Sequence, residues 1–296
     1  MPELPEVETV RRGLLSLIVG RSVKAVEHDT PKSFPNATAD VERFLIGAKV
    51  SDVRRRAKVL MIDLSTDYTL VIHLKMTGQM VFVAQPSDTS GLRFGAGHPN
   101  ESLVGNLPDR STRVTVTFED GSHLYFNDQR KFGWVRLLPT LEVPNIDFMQ
   151  KVGPEPLDAD FTAEQFAERF KRRARTSIKA ALLDQTVVAG VGNIYADESL
   201  WGAKIHPQRL VGNITPSEFV LLYAELRSVM NIAIEKGGST DKNYVNAEGK
   251  RGSYLTFARV FRREGKPCPR CGTTIVKFKA AGRGTHICPH CQILSP

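Results

Sequence analysis

The chain begins Met1-Pro2-Glu3, three residues that could place a nucleophile beside an acid. If the initiator Met is removed, as is common before a small residue such as Pro, the secondary amine of Pro2 becomes the terminus. A free α-amino group titrates near ~8, so part of it is unprotonated at neutral pH and can attack an electrophilic carbon to form an iminium. Glu3 could exchange a proton at the same centre. Alternatively, Pro2 is only a permissive second residue before an acidic helix start.

A second group of reactive residues lies near the other end of the chain, with the spacing C-x2-C-x16-C-x2-C: Cys268, Cys271, Cys288 and Cys291. Two close pairs joined by a loop of this length match a tetrahedral four-cysteine zinc site. Two disulfides are the alternative, but nothing else in the sequence indicates an oxidising compartment. We therefore expect one structural Zn²⁺ ion, because four thiolate ligands leave no open position for catalysis.

Several cations stand beside apolar or aromatic residues. Lys58 ends the basic run 54–58 just before an apolar strand, where it could contact phosphate or assist proton transfer. The run could also be an ordinary solvated face. In the segment 128–133, Arg130 could contact a base edge and Phe132 could wedge into a base stack. Phe132 could equally be a core residue, and Met76 has the same ambiguity.

Two glycine-containing segments could approach phosphate closely. The segment 189–193 lacks a third Gly and a Lys-Ser/Thr pair, so a mononucleotide loop is weakly supported. Its glycines either serve helix packing or allow a phosphate to approach a helix start at Asn193. Nearby basic residues favour DNA: Arg172, Arg173, Arg175 and Lys179. Arg283, between two glycines midway between the cysteine pairs, could bind a phosphate bidentately or remain solvated.

Length and charge limit the classes of function. At 296 residues the chain has room for roughly two domains. Its net charge of +8 and pI near 9.4 indicate an acidic partner, most often nucleic acid, although a ribosome or membrane surface stays open on charge alone. No apolar run approaches the ~18 residues of a membrane span, and the acidic N-terminus lacks a signal pattern. We expect a soluble cytoplasmic protein that does not bind membranes.

Hydrophobic periodicity predicts a helix over 4–17, followed by short strands. The predicted strands are 59–64, 69–74, 80–84, 113–118, 123–127 and 133–138. The segment 86–108, rich in Gly, Ser, Pro and Asn, is predicted to be a long mobile loop. The first half is therefore expected to be a β-rich domain that carries its N-terminal helix.

Four prolines in 139–160 predict a linker, and helices follow it. Capping boxes at Thr162 and Thr215 open two of these helices. Two more helices are predicted over 171–184 and 194–203. The polar, basic segment 239–260 is predicted to be a loop that becomes ordered on a ligand. The predicted domains are 2–138, the linker 139–160, a helical domain over 161–260 and a zinc finger over 261–296.

The motifs taken together resemble the bacterial formamidopyrimidine-DNA glycosylase family, which excises 8-oxoguanine. The resemblance covers nearly the whole chain and rests on these segments: MPELPEVETV, RRAK at 55–58, DQRKFG at 128–133, GPEPL at 153–157, VGNIYADESL at 191–200, EKGGST at 235–240 and the cysteine pairs. It implies an α+β multidomain fold with a β-sandwich, a helix–two-turn–helix module and a zinc-finger hairpin. It also implies a monomer that acts on double-stranded DNA containing oxidised bases, in the bacterial cytosol or nucleoid.

The resemblance implies a role for individual residues. Pro2 is the nucleophile that attacks C1′ and gives β,δ-elimination, Glu3 is the catalytic acid, and Lys58 assists base loss and β-elimination. Arg283 holds the lesion phosphate and serves δ-elimination. The implied DNA contacts are Asn193 at a phosphate, Met76, Arg130 and Phe132 in the space left by the flipped nucleotide, and Arg175. Ser111 falls where the family commonly has a DNA-contacting His.

The chain departs from the family pattern at a few positions. Lys75 replaces a common Gly, Lys131 a common Arg, and Phe261-Arg262 a common Tyr-Gly. Two other functions remain open. One is an endonuclease VIII-like glycosylase for oxidised pyrimidines, although such enzymes usually begin MPEGPE, unlike Leu4 here. The other is a non-catalytic, zinc-dependent DNA-binding protein.

Overall fold

The computed structural model describes residues 2–85, 92–98, 100–238 and 254–294. The chain divides into two compact units. Unit 1 comprises Met1–Gln150 with Ile234–Tyr254, and unit 2 comprises Lys151–Ala233 with Leu255–Pro296. The helices and the cysteine hairpin therefore share one unit. Among the described residues, no helix combines the length and the apolar character needed to cross a membrane.

Unit 1 is a two-layered β-sandwich with a helix at its N-terminus. Its elements are α1 Leu4–Ile18, β1 Val23–His28, α2 Thr38–Asp40, β2 Val50–Arg56, β3 Val59–Leu64, β4 Tyr68–His73, β5 Gly78–Val83, β6 Arg93–Gly97, β7 Thr112–Phe118, β8 His123–Asp128, β9 Trp134–Pro139 and α3 Asp147–Lys151. One antiparallel sheet has the order β1-β7-β8-β5-β6 and the other β2-β3-β4-β9. One apolar core contains residues from both sheets and from α1.

The helix α1 confirms the predicted element and ends one residue later than predicted. It begins with a capping box, in which the Glu6 carboxylate accepts the backbone N–H of Glu3 at 2.8 Å. Its apolar face is fully buried in the sandwich core. Gly13 in the helix interior is explained by β6, since an added Cβ would lie 2.2 Å from the Phe94 ring. The helix therefore tolerates a poor helix former where another strand approaches closely.

The predicted strands of unit 1 are all present, with ends shifted by one or two residues. Three strands were not predicted: β1, β2 and β6. The loop predicted over 86–108 is wrong for β6, which pairs with β5, and for the short helical turn Glu101–Leu103. Residues 86–91 and 99 of that prediction lie outside the described residues.

Unit 2 contains four main helices and a β-hairpin: α4 Ala163–Phe170, α5 Ile178–Leu183, α6 Asn193–Gly202, α7 Pro216–Glu235, β10 Val276–Ala280 and β11 Arg283–Ile287. Both predicted capping boxes are present. Thr162 and Gln165 exchange bonds of 2.9 and 3.2 Å, and Thr215 and Glu218 exchange bonds of 2.8 and 3.3 Å. An aromatic cluster between α4 and α7 forms part of the unit's interior.

The helix predicted over 171–184 is wrong in its first half. A single helical turn, Lys171–Arg173, is followed by an extended Ser177, whose hydroxyl accepts the backbone N–H of Ala180 and starts α5. Of the loop predicted over 239–260, residues 239–253 lie outside the described residues. The four-part domain division made from the sequence remains a prediction.

Candidate active site and nucleic-acid interface

Strand register gathers the predicted site residues of unit 1 at one end of the sandwich. Val59 at the start of β3 pairs with His73 at the end of β4, and His73 pairs with Trp134 at the start of β9. In the other sheet, Gly78 at the start of β5 pairs with Asp128 at the end of β8. Because four residues join β4 to β5, both rows lie at the same end. The connections that carry Lys58, Met76, Arg130 and Phe132 therefore share that end.

The start of α1 is held close to the turn that carries Lys58. The Glu8 carboxylate of α1 accepts the Nε–H of Arg55 at 3.1 Å, and Arg55 Nη1 donates to the Ala57 carbonyl at 3.0 Å. Arg55 thus links the helix to the residue before Lys58. Burial acts to raise the pKa of Glu8, but hydrogen bonds from Arg11 and Arg12 and the charges of Arg11 and Arg55 lower it to about 2. Glu8 is therefore a permanent anion in this link.

Pro2 and Glu3 immediately precede this helix. Both are buried, and Glu3 is the extended N-cap residue, with only 3% of its surface exposed. Lys58 is also buried, at 6% exposure, although its neighbours Arg54 and Arg55 form ordinary ion pairs. A lysine buried at the end of a strand is not part of a solvated charge run. The structure thus favours the chemical interpretation of Lys58 over the surface one.

His73 is a buried site residue that the sequence did not single out. Burial lowers its pKa, and the charges of Lys75 and Lys58 lower it further, to about 3. Its Nδ1 accepts the backbone N–H of Lys75 at 3.0 Å, so the neutral ring carries its proton on Nε2. The strand position before a Lys-Met turn was the available signal. His73 is a neutral N–H donor beside Lys58.

Met76 lies in the tight turn between β4 and β5. Lys75 has φ +49°, and Gly78 donates its N–H to the Leu74 carbonyl at 2.8 Å. A Cβ at Gly78 would lie 2.3 Å from that carbonyl oxygen, so only glycine fits. Met76 itself is half-buried. The turn gives an apolar side chain a defined place at the site end of the sandwich.

Arg130 and Phe132 lie on the loop between β8 and β9 and are exposed. Phe132 exposes 45% of its surface, so it is not a core residue. The Arg130 guanidinium lies 4.7 Å from the Phe132 ring centroid, and the Lys32 ammonium lies 5.9 Å from it. An exposed aromatic ring flanked by two cations is suited to contact stacked bases and phosphates.

The structure corrects the expectation for Ser111. Its side chain is 3% exposed, and its hydroxyl donates to Asp109 at 2.7 Å and lies 3.0 Å from the Ser102 hydroxyl. The short side chain is thus engaged inside the fold and cannot reach a nucleic acid. The adjacent Arg110 is exposed and is better placed for such a contact.

In unit 2, a direct hydrogen bond brings Asn193 to the cysteine hairpin. Asn193 Nδ2 donates to the Gly284 carbonyl at 2.9 Å, next to the exposed Arg283. The hairpin turns at Ala281 and Gly282, which have φ of +49° and +69°, so Arg283 lies at its tip as predicted. Asn193 is also the first residue of α6, where free backbone N–H groups favour an anion. Arg175 is exposed in the same unit.

A buried ionic network connects α5, α6 and the hairpin of unit 2. Lys179 Nζ donates to Asp197 at 2.6 Å and to the Thr285 hydroxyl at 2.7 Å, and Lys179 and Asp197 are fully buried. The other Asp197 oxygen accepts the backbone N–H of His286 at 3.0 Å. Lys179, grouped by sequence with the DNA-facing cations, is thus an interior residue. Its ammonium holds α6 and β11 in register.

The four cysteines form the zinc site. Their Sγ atoms all lie within 4.8 Å of one another, and Cys271 and Cys288 are 3.4 Å apart, far longer than a ~2.05 Å disulfide bond. All four lie among the described residues and none is in a disulfide. Backbone N–H groups of Arg270 and Cys291 point at Cys268 and Cys288, each at 3.4 Å. Four convergent sulfur donors hold one structural Zn²⁺ ion.

The comparisons with known proteins cover all parts of the chain. Residues 1–135 match the formamidopyrimidine-DNA glycosylase N-terminal domain, residues 152–244 its H2TH domain, and residues 265–293 the zinc finger found in FPG and IleRS. The chain belongs to the formamidopyrimidine-DNA glycosylase family. The sequence prediction of the family is confirmed.

Individual relatives agree. The formamidopyrimidine-DNA glycosylase of Pediococcus pentosaceus is 42% identical over 99% of this chain and 100% of its own length, and that of Pelotomaculum thermopropionicum is 40% identical over 99% of both. A Lactococcus lactis FPG mutant bound to Fapy-dG-containing DNA is similar in structure, with a TM-score of 0.85 and 34% identity over 99% of this chain and 100% of that one. A complex of the Lactococcus lactis protein with abasic-site DNA has the same TM-score, identity and coverage.

Proposed function

We propose that this protein removes oxidised purines, namely 8-oxoguanine and formamidopyrimidines, from duplex DNA and then cleaves the strand at the abasic site. It acts as a monomer in the bacterial cytosol or nucleoid. The observation that carries the proposal is the register of β3, β4 and β9, which gathers Lys58, Met76, Arg130 and Phe132 at one end of the sandwich. Family membership and the DNA-bound relatives support the same function.

Chemistry begins at the processed N-terminus. The Pro2 amine forms a bond to C1′ of the damaged nucleoside while the glycosidic bond breaks, and the base leaves with the bonding electrons and a proton. Opening of the sugar gives an iminium. Loss of the C2′ proton then expels the 3′ phosphate, and a second elimination expels the 5′ phosphate. Glu3 is the acid and base for these steps, and Lys58 assists base loss and β-elimination.

Extrusion of the lesion needs a replacement for the lost stacking. A duplex hides C1′, and unstacking one nucleotide costs a few kcal/mol. Met76 and Phe132 fill the vacated space, and Arg130 faces the opposite cytosine. The exposed Phe132 ring between two cations supports this role.

Unit 2 holds the DNA backbone. Asn193 at the start of α6 and Arg283 at the hairpin tip bind phosphate, and Arg283 serves δ-elimination. Arg175 adds a further cation. Because these contacts are ionic, affinity falls steeply with salt.

Two other functions make different predictions. An endonuclease VIII-like enzyme would prefer oxidised pyrimidines, and one similar structure is wild-type Lactococcus lactis Fpg bound to DNA containing an oxidised pyrimidine. A non-catalytic binder would retain DNA in a salt-dependent manner without cleaving it. Both alternatives have to be compared with 8-oxoguanine in one assay.

The test is borohydride trapping of the Met-processed protein on an 8-oxoguanine:cytosine duplex and on a thymine glycol duplex. We expect a covalent adduct that is strongest on 8-oxoguanine and much reduced in Pro2→Gly. Pro216→Gly, an exposed proline at the start of α7, is the matched control and should trap normally. Stronger trapping on thymine glycol would favour the pyrimidine enzyme, and tight binding without any adduct would favour the binder.

A second variant tests the free terminus itself. A form that retains residues before Pro2 has an amide in place of the secondary amine. It should bind DNA but lose both base excision and strand cleavage. Full activity of this form would refute the proline mechanism.

A further inference from the structure

Asp128 is a fully buried carboxylate at the site end of the sandwich. It is the last residue of β8, where it pairs with Gly78 of β5, and it is 0% exposed. Neither its charge nor its position matches a role in the chemistry proposed above. Its hydrogen bonds, however, reach both of the loops that carry Met76, Arg130 and Phe132.

The Asp128 carboxylate accepts four hydrogen bonds, two on each oxygen. Oδ1 accepts the Thr77 hydroxyl and the backbone N–H of Arg130, the latter at 3.2 Å. Oδ2 accepts the backbone N–H groups of Phe132 at 2.8 Å and Gly133 at 2.7 Å. A single side chain therefore holds Thr77, which follows Met76, together with Arg130 and Phe132 themselves.

Both loops need such a restraint. Lys75 in the first and Lys131 in the second have φ of +49° and +55°, a region that costs energy for residues other than glycine. The Thr77 hydroxyl also accepts the Arg130 N–H at 3.1 Å, which joins the two loops directly. Without the carboxylate, nothing else in this set bonds Phe132 N–H.

The backbone of Asp128 is itself held in place. Arg113 Nε donates to the Asp128 carbonyl at 2.8 Å, and the Asp128 N–H donates to the Ser111 carbonyl at 2.8 Å. Arg113 in turn forms an ion pair with Asp29. The carboxylate is thus a rigid anchor and the two loop tips are what it anchors.

We propose that Asp128 is the positioning residue for the DNA-inserting side chains Met76, Arg130 and Phe132. The proposal rests on the function proposed above. Asp128 touches neither substrate nor reacting atoms. It sets the spacing of the three side chains before DNA arrives, so that the ordering cost is not met during extrusion of the lesion.

Asn is the sharpest substitution, because Asp128→Asn keeps the shape of the side chain. Its single carbonyl oxygen can serve only one of the two donor pairs, and its NH2 group would face N–H or O–H donors of the other pair. Two of four bonds are lost and a donor clash is added. The loops should separate while the β-sandwich core is unchanged.

The experiment measures single-turnover borohydride trapping of wild type, Asp128→Asn and Asp67→Asn. Asp67 is an exposed residue in the β3–β4 turn and provides the matched control. On 8-oxoguanine:cytosine, Asp128→Asn should be about 10- to 100-fold slower, the effect of two lost hydrogen bonds. On a duplex with an abasic site, where no base has to be unstacked, it should change less than about 3-fold. Preference for cytosine over adenine opposite 8-oxoguanine should also fall.

A milder variant, Thr77→Val, removes one donor and should change the same ratios in the same direction by a smaller factor. An equal loss on both duplexes would overturn the proposal, because it would indicate general damage to the fold. Unchanged trapping on 8-oxoguanine would overturn it as well. If wild type traps neither duplex, the proposed function fails and this role fails with it, whereas normal wild-type trapping isolates the role of Asp128.

Discussion

The buried pair of Lys179 and Asp197 allows a quantitative test of how unit 2 is stabilised. Both side chains are fully buried, and the Lys179 ammonium makes bonds of 2.6 and 2.7 Å. Lys179→Met keeps most of the side-chain volume and removes the charge. It leaves the Asp197 carboxylate buried with the His286 backbone N–H as its main remaining donor. Breaking one side of a buried ion pair costs about 3–5 kcal/mol, and we expect a loss in that range.

The assay is urea unfolding of the full chain with zinc in excess, followed by tryptophan fluorescence. The chain has two tryptophans, Trp134 in unit 1 and Trp201 in unit 2. In a Trp134→Phe background, Trp201 alone reports, and it packs against Cys268 and Cys288 of the zinc site. Lys279→Met, an exposed lysine on β10, is the matched control and should change stability by about 0.5 kcal/mol or less.

A double variant separates lost attraction from the buried charge. If the uncompensated carboxylate causes the loss, Lys179→Met with Asp197→Asn should be no less stable than Lys179→Met alone, because Asn can still accept the His286 N–H without a charge. A loss below about 1 kcal/mol in Lys179→Met would refute the reasoning. A double variant whose losses simply add would refute it too.

Three other changes have defined outcomes. The pKa of Glu8 is lowered to about 2 from an ordinary 4.5, so its contribution is complete above pH 4.5 and is lost as pH falls toward 2. Denaturation of Glu8→Gln between pH 5 and 3, followed through Trp134, should therefore depend less on pH, by about 1–3 kcal/mol across the full window after allowance for solvent screening. Chelation of zinc should expose Trp201 and abolish DNA binding, with recovery on Zn²⁺ addition, because binding of a structural zinc ion is folding energy; unchanged emission would contradict this. Gly133→Ala should cost about 1–3 kcal/mol by thermal unfolding, since its Cβ would lie 2.6 Å from Phe126 Cζ and 2.9 Å from the His73 carbonyl; a neutral result would show that the loop can shift.

Elements with a local signal were predictable from the sequence. The 3.6-residue period of α1, the two Thr capping boxes and the cysteine spacing each depend on residues a few positions apart. The strands that were missed lack such a signal. In β2, exposed arginines alternate with buried Val50 and Val53, and the arginine run looked like a solvated charge cluster. In β6, the glycines looked like loop residues, yet Gly97 has φ +124° and packs against the backbone of Gly78 and Gln79. Tertiary contacts decide both strands.

Site residues show the same division. Lys58, Arg130, Phe132 and Arg283 were predictable because their types and neighbours indicate contact with phosphates or bases. Lys179 was grouped with them by charge alone, and its burial could not be seen from its neighbours in sequence. Ser111 was placed by the resemblance alone, and its Asp109 and Ser102 partners are specific to a local fold that the sequence did not reveal.

Buried carboxylates account for most of what the sequence could not show. Asp128 gathers donors from two loops of unit 1, and Asp197 gathers donors from α5 and the hairpin of unit 2. A buried Asp has no hydrophobic period, and in sequence it resembles a turn residue. Yet leaving any of its partners without an acceptor is costly in a low-dielectric interior. The residues that would touch DNA can therefore remain exposed and mobile in their side chains, while fully buried anions set their backbones. Mutations of the buried anions should alter DNA handling without removing a single DNA contact.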